Sequence, residues 1–569
     1  MTSLSAGRAG AAEPDLIDRL PGLAAATHAR ACLALLVLAL VLFLPGQIGL
    51  QPMDRDEPRF AQASKQMLET GDLVDIRFQA EARHKKPVGI YWLQAASVAA
   101  GEALGVPGAR TEIALYRIPS LVGACAAVLL AYWAALAFLA RPDALLAAAL
   151  FGACLMLSAE ARLAKTDALL TACTVASFGA LARAWLSRGS AVPLPRSALL
   201  AFWGGLALGI LVKGPMVPLF VGLPALILSG LERDAYWLRR LRPGLGLALV
   251  ALAVAPWFLA IAWKSGGAFF TEAVGQDMLA KVGGAKEKHW GPPGTYALAF
   301  FGTFWPGAAF AALAIPFAWR ARGEDAVALL VAAILPAWAI FECVPTKLPH
   351  YVLPLMPMVA ILTVLALRRG ALDPRRPGAS AVGFLAVAIP VGLAVGLPLA
   401  GWQLDRQVPW AALPLLAGAV GLALAAWFAF RAHRSERALV LGVLASLLVS
   451  PALFGLGQRE IPALKVSPRL AAIRDALPCA SPRVASLGYR EPSLVFLVGT
   501  DLATPPTGRE ASDFLHAGGC RLVFVEARQA AEFAAAEAGR TGARQVGAVS
   551  GFNINGGRRV GLAAYAVVP

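Results

Sequence analysis

"ACLALLVLALVLFLPGQIGLQPMDRDEPRF", residues 31–60, sets 20 uncharged and mostly apolar residues against three acids, Asp54, Asp56 and Glu57. About 20 such residues in a helix cross a hydrocarbon core roughly 30 Å thick. The first part therefore reads as a membrane span, and the acids fall just beyond its end. Helix capping is one explanation for them. Pro58 suits the first helical position, which makes Glu57 the N-cap and puts Asp56 before it, each complementing the helix dipole by roughly 0.3–1 kcal/mol. Three acids are more than capping needs, so the rest of the chain must say whether they serve chemistry.

Working outward, the whole chain has the same character. It holds 569 residues, 58% hydrophobic and 15% charged, where a soluble protein carries about 25% charged residues. Apolar stretches of spanning length occur near 31–50, 112–139, 143–158, 168–187, 197–212, 214–230, 244–263, 296–319, 325–343, 350–367, 379–401, 411–430 and 438–457. These predict a polytopic α-helical membrane protein of about 13 transmembrane helices. With the N-terminus in the cytoplasm, six inner loops hold 17 arginines, from Arg141 to Arg437, against five basic residues in the short outer loops: Arg162, Lys165, Lys213, Lys347 and Arg406. That asymmetry sets the orientation, and it accounts for the net charge of +16 without nucleic acid. Residues 1–30 form a polar tail with no cleavable signal, and the first apolar stretch is read as a permanent anchor. An odd span count puts the tail outside. The expected organisation is a transmembrane catalytic domain over 1–460, with outer loops at 51–110 and 264–295, and a soluble α/β domain over 461–569.

Within the first loop, Phe60, Ala63, Met67 and Leu68 share a face at helical spacing and Gly71 is placed to end the helix. "VGIYWLQAASVAAGEALG" (88–105) is read as lying in the outer interface, because counting it as a span would invert every later arginine loop. The tail alternates strand and helix patterns and closes in "QVGAVSGFNINGGRRVGLAAYAVV" (545–568), a β-hairpin turning at Asn555, Gly556 and Gly557. Five cysteines lie in or beside spans as small hydrophobes. Cys479 and Cys520 fall in the outer domain, where a disulfide can persist in an oxidising compartment.

Lysines recur at the outer membrane boundary: Lys85 and Lys86 in "EARHKKPVGIYW", Lys165 in "SAEARLAKTDALL", Lys213 in "LVKGPMVPL" and Lys347 in "ECVPTKLPHYVLP". Any one of them alone reads as a snorkelling side chain. Together with acids at the same depth they compose a site for an anionic headgroup, which lysine binds as a point charge.

"DEPRFAQASKQML", "KKPVGIYWLQA", "EARLAKTDALL", "LVKGP" and "PTKLPHYVLPLMP" resemble, in that order, the signature stretches of the GT-C type lipid-linked-sugar glycosyltransferases. The "TKLPHY" and "GFNI…GGRRVGLAAYAV" stretches point to the aminoarabinose transferases of lipid A rather than to their relatives, the protein O-mannosyltransferases. The resemblance implies a bacterial inner-membrane enzyme that moves 4-amino-4-deoxy-L-arabinose from undecaprenyl phosphate to a lipid A phosphate at a periplasmic site, and with it resistance to cationic peptides. It further implies Asp56 and Asp167 as catalytic acids, with Glu57, Arg59, Lys85, Lys86, Tyr91, Arg162, Lys213, Lys347, His350 and Tyr351 around the substrates. This chain has "HKKP" where relatives often carry an acidic or aromatic residue before "KP", so Lys85 and Lys86 are both candidates for the headgroup.

A sugar 1-phosphate needs no nucleotide. The leaving phosphate gains charge as the glycosidic bond breaks, and lysines aimed at it stabilise the transition state. Lys86 and Lys213 are expected there, then Lys347. Toward a hydroxyl acceptor Asp56 would be a general base, whereas an ionised phosphate acceptor leaves the acids to orient the cationic sugar. No cofactor beyond the lipid substrate is required, although Glu81, His84 and His289 admit a divalent ion. Two other functions fit the same residues: transfer of another sugar, such as mannose, to protein or glycan, and lipid transport along intramembrane charges.

Overall fold

The computed structural model describes residues 15–53, 56–273, 275, 290–479 and 481–567. Nine helices among them are long and apolar enough to cross a bilayer: Ile113–Ala135, Asp167–Leu186, Arg196–Lys213, Pro243–Lys264, Asp325–Cys343, Pro349–Arg368, Ala379–Asp405, Trp410–Arg431 and Ser435–Glu460. Three apolar helices are shorter, His28–Phe43, Met216–Glu232 and Ala308–Arg320. The chain is a multi-pass membrane protein.

The expected count of 13 is therefore not what the described residues show, and two breaks explain much of the difference. Stretch 143–158 divides into Arg141–Gly152 and Leu155–Glu160, with the Cys154 thiol accepting the Leu157 N–H at the start of the second helix. Stretch 296–319 divides into Thr295–Thr303 and Ala308–Arg320. Pro306 between them has no N–H for a helical bond. The two breaks face each other, since the Leu155 N–H donates to the Trp305 carbonyl at 3.1 Å.

Helix Asp167–Leu186 is the hub, with 89% of its apolar window buried. Apolar attraction between helices is weak in lipid, so small residues that let backbones approach carry the packing. At Gly123 of helix Ile113–Ala135, a Cβ would stand 2.8 Å from the Leu169 backbone. The helix N-terminus that presents Asp167 is thus set into the middle of the bundle. Asp167, Lys213 and Pro349 lie at one end of their helices. Arg188, Arg196 and Arg368 lie at the other, where pairs such as Arg188–Asp325 (2.8 Å) and Arg368–Glu436 (2.7 Å) tie the loops together.

In the first loop, helix Glu57–Thr70 ends at Gly71 in the left-handed conformation, φ +73°, as its position predicts. Its polar face is not solvated. Gln62 donates to the Thr500 hydroxyl at 2.7 Å, Lys65 to the Phe496 carbonyl at 3.1 Å, and nearby Gln79 to the Thr500 and Leu502 carbonyls. The helix is sandwiched between the bundle and the C-terminal residues. Helix Gly89–Ala103, 15 residues, is too short to span.

Strands β1 (Arg77–Phe78) and β2 (Glu81–Ala82) form a small hairpin in this loop. The C-terminal sheet contains β3 (Arg483–Leu487), β4 (Arg521–Glu526), β5 (Arg544–Asn553) and β6 (Arg558–Val567) in the order β3-β4-β6-β5. β3 and β4 are parallel, and the other pairings are antiparallel. The β5–β6 hairpin turns where the Asn-Gly-Gly sequence predicts. Strand alternation places Val484, Leu522 and Phe524 on one face, and Leu487, Val523 and Val525 on the other against Ala511, Leu515 and Phe533. Cys479 and Cys520 form a disulfide beside the ends of β3 and β4.

Candidate active site

Glu57 explains why a carboxylate is buried at the membrane edge. It is the first residue of its helix rather than the N-cap, a position Asp56 takes. One oxygen accepts from Arg117 Nε at 2.7 Å and from the Ala164 N–H at 2.9 Å. The other accepts from Arg117 at 3.0 Å and from the Met53 N–H at 2.7 Å. Arg117 spends its remaining donors on the carbonyls of Gln47, Leu50 and Gln51, each at 2.9 Å. Both side chains are fully buried. A buried ion pair survives only when its remaining polar valences are met, and here they are. Both oxygens of Glu57 are thus occupied by partners within the chain.

The bond to Ala164 connects this knot to the loop 161–166. Gln47 donates to the Ala161 carbonyl, Gln94 to that of Ala164 and Ser120 to that of Lys165. Four elements thus hold the few residues that precede Asp167. Gly214 fixes the other side. Its φ of +59° and ψ of −128° are closed to L-residues, so the helix ends with Lys213 as its last residue. At Gly89 a Cβ would stand 2.9 Å from the Leu211 carbonyl, which brings the start of helix Gly89–Ala103, and with it the "KKP" segment, against the helix end that carries Lys213.

The result is a cluster of charges in the bundle. Lys213 Nζ meets Asp167 Oδ1 at 2.5 Å, and Lys165 Nζ meets Glu160 Oε1 at 3.1 Å. His350 stands between the acids, 3.6 Å from Glu160 and 3.8 Å from Asp167. The Tyr351 ring lies edge-on to His350 and 5.4 Å from Lys213 Nζ. Asp167, Glu160 and Lys165 are all buried. Residues from three separated motifs, "EARLAKTD", "KGP" and "TKLPHY", are brought together. Lys165 is one of the boundary lysines expected to face an anionic headgroup, whereas Glu160, inside the same motif, was not singled out.

Other expected residues sit differently. Asp56 is partly buried and makes no capping hydrogen bond, while Asp54 lies outside the described residues. Arg59 and Lys86 are partly buried, Lys85 is exposed, and Tyr91 is buried with its ring 5.3 Å from Phe60. Arg162 is committed to the chain itself: it donates to the carbonyls of Pro45, Leu42 and Ser158 and to the Ser450 hydroxyl, and it stacks on Phe454. Lys347 donates to the carbonyls of Phe341 at 2.8 Å and Glu342 at 2.5 Å, closing the C-terminus of helix Asp325–Cys343. These bonds give Arg162 and Lys347 structural work. The divalent-ion expectation fares similarly. Glu81 is exposed on β2, and buried His84 is engaged by Asp75 at 2.8 Å with Glu272 at 3.7 Å. His289 lies outside the described residues, and among those described no group of three His, Cys, Asp or Glu is placed to hold a metal ion.

No family profile matches the chain. An undecaprenyl phosphate-α-4-amino-4-deoxy-L-arabinose arabinosyl transferase of Erwinia tasmaniensis is 27% identical over 362 residues, 61% of this chain and 62% of that protein. The transferase of the same name from Pseudomonas paraeruginosa is 31% identical over 322 residues, 54% of each chain. The matched stretch thus spans a little over half the length of these curated relatives. Among solved structures, ArnT from Cupriavidus metallidurans bound to undecaprenyl phosphate superposes with a TM-score of 0.70 over 94% of this chain and 98% of that one, at 18% identity. Its apo form gives 0.67. The chain therefore has the fold of ArnT and is similar, over more than half its length, to the undecaprenyl phosphate-aminoarabinose arabinosyl transferases.

Proposed function

We propose that this protein is a membrane glycosyltransferase that moves 4-amino-4-deoxy-L-arabinose from undecaprenyl phosphate to a lipid A phosphate on the periplasmic face of the bacterial inner membrane. The observation that carries this reading is the buried Lys213–Asp167–His350–Glu160–Lys165 cluster. It supplies cations for a departing lipid phosphate and acids for a cationic sugar in one place, and it is built from the motifs that resemble those of the aminoarabinose transferases. The relatives' names and the undecaprenyl phosphate held by ArnT support the donor.

In this reading Lys213 turns from Asp167 toward the phosphate as charge develops on the bridging oxygen, with Lys86 approaching from the neighbouring loop. Stabilisation that grows along the reaction is what accelerates it. Asp167, relieved of its lysine, pairs with the 4-amino group, and Asp56 faces the incoming acceptor. A lipid A phosphate is ionised at neutral pH and attacks without a base, so both acids orient rather than deprotonate. Arg59, Tyr91 and Tyr351 line the approach. The charges gather at one end of the helices, which favours an interfacial enzyme over a transport path.

The test is direct. Purified protein is incubated with undecaprenyl phosphate-aminoarabinose and lipid A, and lipid A is weighed by mass spectrometry. Addition of one aminoarabinose is expected. Transfer only from a mannosyl donor, or only to protein, would replace this reading, as would vesicle translocation of the lipid without transfer.

A further inference from the structure

At the end of the bundle opposite the charge cluster, helices Ala379–Asp405 and Leu413–Arg431 part to leave a groove of about 630 Å³. Phe384 and Trp427, whose rings meet edge to face at 5.1 Å, form one wall, and Gly378, Ser380 and Ala381 line the rest. Trp427 is pinned by a 2.9 Å hydrogen bond from its indole N–H to the Ser380 carbonyl. Arg376 forms one side of the mouth, and the Arg431 guanidinium stacks 5.0 Å over the Trp427 ring. The neighbouring acid, Asp373, accepts from the Arg375 N–H at 3.0 Å and lies 3.8 Å from His433, and Arg375, Arg376 and Arg431 outnumber it, so the rim is positive.

We infer that this groove is a binding site for an anionic phospholipid of the leaflet on that side. An acyl chain lies along the single aromatic wall that the touching Phe384 and Trp427 rings form beside Ala381 and Gly378. A phosphate at the mouth meets half-buried Arg376, and Arg431, stacked on the Trp427 ring, adds a second positive charge nearby. Basic pockets between spanning helices recognise anionic headgroups in this way, each arginine worth about 1 kcal/mol. A zwitterionic lipid would bring the same tail and a cation that the rim repels. The groove lies at the far end of the helices from the catalytic cluster, so its occupant is a structural or regulatory lipid, distinct from the donor.

The experiment uses the full chain in detergent, titrated with phosphatidylglycerol brominated on its acyl chain, with brominated phosphatidylcholine as the comparison. The lipid should quench a component of the tryptophan fluorescence that Trp427→Phe lacks, and phosphatidylcholine should do so at least tenfold more weakly. The Arg376→Gln, Arg431→Gln double variant should weaken phosphatidylglycerol binding by roughly tenfold or more, the worth of two such arginines. Equal quenching by the two lipids, or equal quenching of wild type and Trp427→Phe, overturns the proposal without reference to any variant's stability in the first case. Displacement of the label by undecaprenyl phosphate but not by phosphatidylglycerol also overturns it, assigning the groove to the donor.

Discussion

At the scale of single residues, the acids 54–57 divide into two kinds. Glu57 is structural, since four hydrogen bonds consume its oxygens and one of them locates the segment that carries Asp167. Asp56 is not a cap in the sense of a side chain bonding the first turn, so the capping account of it loses its main support. Asp56→Asn keeps size and removes charge. Loss of a cap would cost about 1 kcal/mol of stability with turnover nearly intact. Loss of a group that orients the reactants should lower turnover by about a hundredfold or more with yield unchanged, in line with positioned acids and bases generally. Asp167→Asn should show the same drop, measured as aminoarabinose transfer on equal amounts of folded protein. Near wild-type rates for Asp56→Asn would return it to a minor role. Glu57→Gln should instead fail before chemistry. Stranding Arg117 in the interior costs about 3–5 kcal/mol, so the thermal midpoint and the yield should fall together.

At the scale of elements, the spanning helices and the hairpin were legible because period and composition report burial in lipid and turn chemistry directly. Gly71 ended its helix and Asn555-Gly556-Gly557 turned the hairpin for local reasons that any reader of the chain can apply. The breaks at Cys154 and Pro306 were not legible, because two apolar segments interrupted without a charge look like continuous spans. Nor was the double burial of helix Glu57–Thr70, whose polar face finds partners more than 400 residues away in Thr500 and Phe496. Of the candidate site, motif order named Asp167, Lys213 and His350, which the fold brings together, whereas the carbonyls that Arg162 and Lys347 meet were not legible, because they come from folding rather than from spacing. The sheet offers a test on pH. Burial works against the charge of Glu526, yet hydrogen bonds from Arg558 and Arg528 outweigh it and hold the carboxyl below its ordinary value of 4.5. A carboxylate with a lowered folded value stabilises above its unfolded value and loses that contribution as pH falls through the folded one. Glu526→Gln should therefore lower the melting temperature at pH 7, and the difference from wild type should shrink steadily below about pH 4.5. A constant difference across pH would show that packing, not charge, is what the substitution removes.

At the scale of the molecule, the two ends of the bundle differ in kind. One end carries Asp167, Lys213, Lys165, Glu160 and His350 as a buried constellation whose members come from separated segments. The other carries arginines on loops, many in pairs with acids of neighbouring loops, as Arg188 does with Asp325 and Arg369 with Glu324. Loop arginines resist translocation, which supports the proposed orientation, with the second end in the cytoplasm and the charge cluster outside it. The sheet domain packs on helix Glu57–Thr70 at the end with the charge cluster, which carries it to the same side. The Cys479–Cys520 disulfide agrees, since such bonds persist in oxidising compartments. A reporter enzyme that is active only outside the cytoplasm, fused after Pro569, should therefore be active. The same reporter inserted at Arg375 should be silent, because that loop belongs to the arginine end. The reverse pattern would place the cluster in the cytoplasm, where a lipid-linked sugar presented on the outer leaflet could not reach Lys213, and the proposed reaction would fail with the topology.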